Sequence, residues 1–135
     1  MYQQDIEIRV RYAETDQMGF VYYGNYATYF EVARVEAFRR LGYPYKEMEA
    51  SGIGMPVLDL QIKYHWPAKY DDLLNIKLTI PEIPRARIKF QYEVTNQDGK
   101  VINNGETTLA FIKLDNGRPV KMPQKMVDLI KPYFD

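Results

Sequence analysis

The sequence predicts an α+β fold in which one long helix covers one face of a five-stranded antiparallel sheet. Four segments alternate apolar and polar residues, which is the period of a strand with one face against the core and one in water, and a fifth strand follows a hairpin-turn signal. One long segment instead carries apolar residues at helical spacing. The chain of 135 residues has the length of one domain, and residues 1–135 are predicted to form it. A helix packed on a single sheet is an α+β layer architecture.

The first strand is predicted close to the N-terminus. Apolar side chains at Ile6, Ile8, Val10 and Tyr12 alternate there with charged ones and are predicted to face the core. A loop with two glycines, AETDQMGFVYYGN, separates this strand from the helical segment.

The long helix is predicted from Tyr26 to Leu41. Its apolar residues lie on one stripe, which consists of Tyr26, Phe30, Ala33, Ala37 and Leu41. Asn25 is a suitable N-cap, and Gly42 suits the left-handed conformation that ends many helices. A helix of this length, about 24 Å, matches the width of about five strands spaced about 4.8 Å apart. A shorter helix is predicted over residues 45–50.

Four more strands are predicted after the helices. They cover residues 58–66, 74–80, 86–95 and about 100–114. The pair Asp98-Gly99 favours a hairpin turn before the last strand, and the pair Asn104-Gly105 predicts a bulge inside it. A short C-terminal helix is predicted near residues 124–133.

The composition excludes several kinds of site and partner. The chain has no cysteine, which excludes disulfides and thiolate metal sites, and its single histidine, His65, is predicted on the polar face of a strand. The 18 basic and 18 acidic residues leave no net field to attract nucleic acid or a membrane. No apolar run could span a membrane, and the charged N-terminus is unlike a signal peptide, so a cytoplasmic protein is expected. Glycine-rich nucleotide-binding motifs are also missing from the sequence.

The loop before the long helix is the candidate site for chemistry. It places Asp16 ahead of a helix N-terminus, whose first N–H groups lack intrahelical partners and carry partial positive charge. A developing oxyanion would be stabilised there, and a facing carboxylate could attack the carbonyl or activate a water. Gly19 and Gly24 permit tight backbone turns in the loop. The same residues also fit an ordinary turn, since Asp and Gly are common in loops.

The segment from Arg11 to Gly42 resembles the signature of the 4-hydroxybenzoyl-CoA thioesterase family, including its YbgC-like branch. The matching elements are Thr15-Asp16, Gly19, Val21-Tyr22, Asn25-Tyr26 and the helical motif Phe30-Glu31-x-x-Arg34. A weaker likeness continues through the segment YHWPAKYDD, and the predicted strand order is also that of the family.

The resemblance implies a hot-dog fold and hydrolysis of acyl-CoA thioesters without a metal or redox cofactor. By motif position, Asp16 matches the family's catalytic aspartate, acting as nucleophile or as general base. Tyr23 matches the residue whose backbone N–H polarises the thioester carbonyl, at a position where many YbgC-like members carry histidine. The resemblance also implies homo-oligomers, either dimers or dimers of dimers, in which the pantetheine arm of the substrate enters between subunits.

Substrate binding is assigned to the loop, the long helix and a later strand. The assigned residues are Gly24, the tyrosines Tyr22 and Tyr26 as core or acyl-pocket wall, and Arg85, Arg87 and Lys89 at the phosphates of coenzyme A. For the three basic residues the alternative is a solvated strand face.

Two other functions stay open. A hot-dog hydratase or dehydratase would need a histidine–carboxylate pair near the pocket, and the distance in sequence between His65 and Asp16 argues against it. A non-enzymatic module would bind acyl-CoA or an acyl-carrier protein without turnover, and the intact motif around Asp16 argues against that.

Overall fold

The computed structural model describes residues 1–134 and is built on a five-stranded antiparallel sheet. The strands are β1 (Tyr2–Arg9), β2 (Ile53–Gly54), β3 (Val57–Tyr64), β4 (Leu73–Ile80), β5 (Arg87–Thr95), β6 (Val101–Ala110) and β7 (Ile112–Lys113). The long strands are ordered β1-β4-β5-β6-β3 with antiparallel neighbours, so β1 and β3 are the edges. The predicted five-stranded sheet is confirmed, but its last predicted strand is split into β6 and β7, and β7 pairs with β2.

The helices of the described chain are α1 (Asn25–Leu41), α2 (Tyr45–Ala50) and α3 (Gln124–Ile130). Gly24 occupies the N-cap position of α1 that was predicted for Asn25. The Asn25 side chain instead donates a hydrogen bond to the carbonyl oxygen of Glu14 at 2.8 Å. At the other end the prediction is correct, because Gly42 has a left-handed φ of 104°. No helix within residues 1–134 is both long and apolar enough to cross a membrane.

The long helix α1 packs closely on the centre of the sheet through Phe30. Its ring stacks on Tyr92 of β5, with ring centroids 4.0 Å apart. A Cβ atom on Gly105 of β6 would lie 2.5 Å from the Phe30 ring, so the close approach requires glycine. The register of β5 with β6 is regular at Gly105 and shifts near Val94 and Thr95. The predicted bulge at this glycine is therefore wrong, because the glycine provides space for the helix.

The first strand ends earlier than predicted. Ile6 and Val10 are buried as expected, but Tyr12 lies in a short 3₁₀ helix and is 77% exposed. The strand ends at Arg9, and the next residue donates its backbone N–H to the carbonyl of Asp72 at 2.9 Å. The alternating pattern thus continued past the end of the strand, and the prediction for Tyr12 is wrong.

The apolar face of β3 is only partly covered in the protomer, because Ile62 packs against the core while two leucines stay exposed. Leu58 and Leu60 are 51% and 42% exposed because β3 is an edge strand of the sheet. The strand also stops at Tyr64, two residues before the predicted end. His65 therefore lies one residue outside the strand, but its side chain is exposed and contacts Asn104, as a polar-face residue would.

Candidate active site

The loop between β1 and α1 is fixed by backbone hydrogen bonds on two sides. Asp16 and Phe20 close a tight turn, in which the Asp16 N–H donates to the Phe20 carbonyl at 2.8 Å. Gly19 inside this turn has a φ of 82°, which favours glycine. Val21 then donates its N–H to the carbonyl of Ala68 at 2.9 Å. The loop that carries Asp16 is therefore attached to the segment between β3 and β4.

The carboxylate of Asp16 is oriented by its own loop. Its Oδ1 accepts the backbone N–H groups of Met18 and Phe20, at 2.9 and 3.3 Å. Within residues 1–134 no donor bonds the other carboxylate oxygen. The side chain is partly buried. One oxygen thus holds the orientation, and the second is available to a substrate or a water.

The N-terminus of α1 offers two backbone donors. The N–H of Tyr22 is taken by the Glu14 carbonyl and that of Asn25 by the Tyr22 carbonyl, both at 2.9 Å. No acceptor in the described part of the chain takes the N–H of Tyr23 or of Gly24. Free N–H groups at a helix N-terminus, where the helix dipole is positive, can stabilise an oxyanion.

An aromatic groove connects these elements. It has a volume of about 430 Å³, and the residues lining it include Asp16, Tyr23, Tyr26, Tyr64, His65 and Trp66. The rings of Tyr26 and Tyr64 meet edge to face with centroids 5.7 Å apart, and the Tyr64 hydroxyl donates to the Tyr23 carbonyl at 3.2 Å. Burial raises the pKa of Tyr26 to about 12. A concave, largely apolar site with a few polar groups is typical of small-molecule binding.

His65 is far from Asp16 in sequence and follows a different element, yet it lies at the same groove. Both residues line the groove. The backbone N–H of His65 donates to the Ile102 carbonyl at 2.9 Å, and its Nε2 lies 3.0 Å from Oδ1 of Asn104. The turn that follows β3 thus brings together two groups that are far apart in sequence.

Glu14 is a structural residue of this site that the sequence reasoning missed. Its carboxylate accepts the Tyr29 hydroxyl at 2.9 Å and the Arg11 backbone N–H at 2.8 Å. Burial opposes its charge, but hydrogen bonds from the Arg11 backbone and the Tyr29 hydroxyl outweigh it and lower the pKa of Glu14. The Glu14 carbonyl also accepts from Tyr22 and Asn25. The only sequence signal was a glutamate at the third position of a short helical turn.

The loop and helix residues assigned to substrate binding divide between the groove and its surroundings. Tyr26 is buried and lines the groove. Tyr22 is exposed, and its ring lies against that of Tyr23 with centroids 4.7 Å apart. Gly24 lies beneath Tyr22, since a Cβ there would be 2.9 Å from that ring. Tyr22 and Gly24 therefore adjoin the groove from outside.

The basic cluster lies at the opposite end of the sheet. Arg87 pairs with Ala110 at the end of β6, whereas the groove residue Tyr64 pairs with Asn103 near its start. Seven residues along a strand correspond to about 23 Å. Lys89 forms an ion pair with Glu106 at 3.0 Å. Within one protomer these basic residues do not reach the groove of Asp16.

The remaining member of the cluster, Arg85, is exposed and lines a separate concavity against the C-terminal segment. Its carbonyl oxygen accepts the N–H of Met122 at 2.8 Å. Among residues 1–134 no group of three or more His, Asp or Glu side chains is arranged to hold a metal ion.

Comparison with known proteins gives consistent matches over nearly the whole chain. Residues 10–130 match the model of the thioesterase-like superfamily. The acyl-CoA thioesterase YbgC of Haemophilus influenzae is 30% identical over 120 residues, which are 88% of each chain. A DHNA-CoA thioesterase structure from Staphylococcus aureus is 38% identical and has a TM-score of 0.91, covering 98% of this chain and 89% of that one. A 4-hydroxybenzoyl-CoA thioesterase structure, 22% identical, shares the fold with a TM-score of 0.85 over 96% and 99% of the two chains.

Proposed function

Because the chain belongs to the thioesterase-like superfamily and is a thioester hydrolase, we propose that it cleaves acyl-CoA thioesters to the free acid and coenzyme A at Asp16. The observation that carries this proposal is the pairing of Asp16 and Tyr23 in one groove. The carboxylate is held through one oxygen, and the Tyr23 N–H is unused by the described chain. In this proposal α1 is the central helix that the sheet wraps, and its N-terminus points its free N–H groups at the thioester carbonyl.

The Tyr23 N–H and the Asp16 carboxylate have different roles in the proposed reaction. The Tyr23 N–H, aided by the dipole of α1, stabilises the negative charge that develops on the thioester oxygen. Asp16 either attacks the carbonyl carbon or removes a proton from the attacking water. Neither route requires a metal or a redox cofactor. The phenol of Tyr23 has no role in this scheme, because the donor is the backbone.

The acyl group would lie against the aromatic walls of the groove, and the nucleotide of coenzyme A would extend away from it. Tyr26 and Tyr64 supply apolar ring surface for the acyl group. The basic cluster of Arg85, Arg87 and Lys89 lies too far along the sheet to serve the same protomer's groove. We therefore assign it to the phosphates of a substrate held at the partner subunit's site in a homo-oligomer. The uncovered edge strand β3 supports such an assembly, since open edges invite pairing. The cysteine-free composition also fits a cytoplasmic location.

The proposed activity is tested with a panel of acyl-CoAs and a thiol-detecting reagent. The panel contains short, long and aromatic acyl groups and one enoyl-CoA, whose double bond is followed by absorbance. We expect release of free thiol from at least one saturated or aromatic member. Loss of the enoyl absorbance without thiol release would instead identify a hydratase, and binding without either signal would identify a binding module.

A further inference from the structure

A second concavity adjoins the loop that carries Asp16. It has a volume of about 620 Å³ and is lined by Tyr12, Thr15, Asp16, Gln17, Gly19 and Tyr70. The aromatic groove described above also has Asp16 in its lining, but none of the other five residues. Asp16 therefore lies where the two concavities meet.

Two tyrosines form the aromatic wall of this second concavity. The rings of Tyr12 and Tyr70 meet edge to face with centroids 5.5 Å apart. Their side chains are 77% and 56% exposed, although tyrosine carries a large apolar ring. Neither hydroxyl bonds another group within residues 1–134. The pair thus offers ring surface and two free hydroxyls to a ligand.

Backbone hydrogen bonds hold the two tyrosines in place. The N–H of Asp71 donates to the carbonyl of Val10 at 3.0 Å, which joins the chain just after Tyr70 to the chain just before Tyr12. The Tyr12 carbonyl accepts both the N–H and the hydroxyl of Thr15, at 3.2 and 2.8 Å. The pair is therefore preorganised, and truncation of either ring leaves these attachments in place.

A thioester at Asp16 requires space in two directions. Its carbonyl carbon carries the acyl group on one side and the sulfur of the thiol arm on the other. The groove of Tyr26 and Tyr64 is the more apolar of the two concavities and suits an acyl group. The second concavity combines the amide of Gln17 with free hydroxyls, which suits an arm that contains amide groups.

We propose that Tyr12 and Tyr70 bind the pantetheine arm of the acyl-CoA substrate in this second concavity. The inference rests on the proposed thioesterase function. The two rings pack against the aliphatic groups of the arm, and their hydroxyls and the Gln17 amide bond its amide groups. The arm is unchanged by the reaction, so these contacts stabilise the ground state and the transition state alike. Contacts of this kind lower KM and leave kcat unchanged.

Tyr12→Ala and Tyr70→Ala test the assignment with an acyl-pantetheine thioester, which has the arm but not the nucleotide. Its acyl group is one that the acyl-CoA panel identifies as a substrate. We expect each variant to raise KM about tenfold at unchanged kcat. Inhibition by free pantetheine should weaken by a similar factor, whereas inhibition by the free acid should not change, because the acid occupies the other groove.

Tyr133→Ala is the matched control and should keep KM and both inhibition constants. Tyr133 is also exposed and meets another ring edge to face, that of Tyr2, at the end of β1 away from the loop. An unchanged KM for acyl-pantetheine in Tyr12→Ala and Tyr70→Ala would overturn the assignment. So would weakened inhibition by the free acid, which would place the acyl group in the second concavity.

Two further results would also overturn the assignment. A lower kcat in both variants would show that the tyrosines support the catalytic loop, and a shift to monomer in sedimentation would show that they form a subunit contact. If wild-type protein releases no thiol from any panel member, the thioesterase function itself fails, which is a distinct result.

Discussion

At the scale of single residues, Glu14 connects the two halves of the candidate site. Its carboxylate accepts the hydroxyl of Tyr29 on α1, and its carbonyl accepts the Tyr22 N–H just before that helix. Glu14 itself lies in the loop that carries Asp16, two residues along the chain. The contacts therefore fix the catalytic loop against the N-terminus of α1, so the relative position of Asp16 and Tyr23 depends on a charged Glu14.

This dependence predicts a pH effect on stability. The folded-state pKa of Glu14 is lowered, so its stabilising contribution is present above the carboxyl's ordinary pKa of about 4.3 and is lost as pH falls through the folded value. The free energy of unfolding of wild type should therefore exceed that of Glu14→Gln at pH 7, and the difference should shrink as pH falls below about 4. Urea denaturation across this pH range measures the difference in the free energy of unfolding. Glu49→Gln, an exposed substitution on α2, is the control; a constant difference for Glu14→Gln would contradict the prediction.

At the scale of secondary-structure elements, the contact of α1 with the sheet depends on one glycine. Phe30 fits between Tyr92 and Gly105 because β6 has no side chain at that point. The ring is fully buried and stacked, so it cannot move aside easily. Protein interiors are packed so closely that one added methyl group lowers the stability of the fold.

Gly105→Ala should destabilise the fold by about 1–3 kcal/mol, the range for overpacking a well-filled core. Denaturant unfolding measures the loss. Phe30→Leu shortens the clashing ring, so the double variant should lose less than the sum of the two single losses. Additive losses, or a Gly105→Ala variant as stable as wild type, would show that the close approach does not constrain the core.

The same elements show what the sequence could and could not predict. The helix α2, bounded by Pro44 and Gly52, is observed at Tyr45–Ala50, the residues predicted, because breakers and helical spacing are local signals. The family resemblance, which brought Asp16 and Tyr23 into the candidate site, is confirmed by the comparisons. The role of Gly105 depends on a side chain 75 residues earlier. Such contacts between distant segments leave no periodic signal in the chain.

The predicted end of β3 is wrong for a related reason. The position of His65 follows from the observed end of β3 and from the Ile102 carbonyl of β6, and both arise from tertiary pairing. The alternating pattern continued through His65 and Trp66, although the strand had already ended at Tyr64. Patterns thus identified the strands well and their ends poorly, and the part of the site built on a strand end was missed.

At the scale of the whole molecule, β3 is the edge through which we expect two copies to associate. Leu58 and Leu60 expose apolar surface beside the unpaired backbone of this edge. Exposed hydrophobic surface next to an open strand is typical of an interface. Isologous pairing of two such edges would give a two-fold dimer.

Sedimentation should therefore give a mass at least twice the 15.9 kDa of one chain. Leu60→Lys should shift the protein towards monomer and lower its thioesterase activity, because the charge opposes burial of the edge. Leu114 is a leucine of similar exposure outside this edge, so Leu114→Lys should change neither the oligomeric state nor the activity. A fully active wild-type monomer at assay concentration would contradict both the dimer and a site completed by the partner's basic residues.

The central claim, that Asp16 performs the chemistry, is tested most directly by the turnover of Asp16→Asn. Asparagine keeps an oxygen that can accept the Met18 and Phe20 N–H groups, so the loop should keep its shape. It can act neither as nucleophile nor as base. We predict kcat lower by at least about a hundredfold with unchanged oligomeric state, while Asp115→Asn, an exposed substitution in a turn, stays near wild type. An Asp16→Asn enzyme that turns over at near-normal rate, free of contaminating thioesterase, would contradict the account.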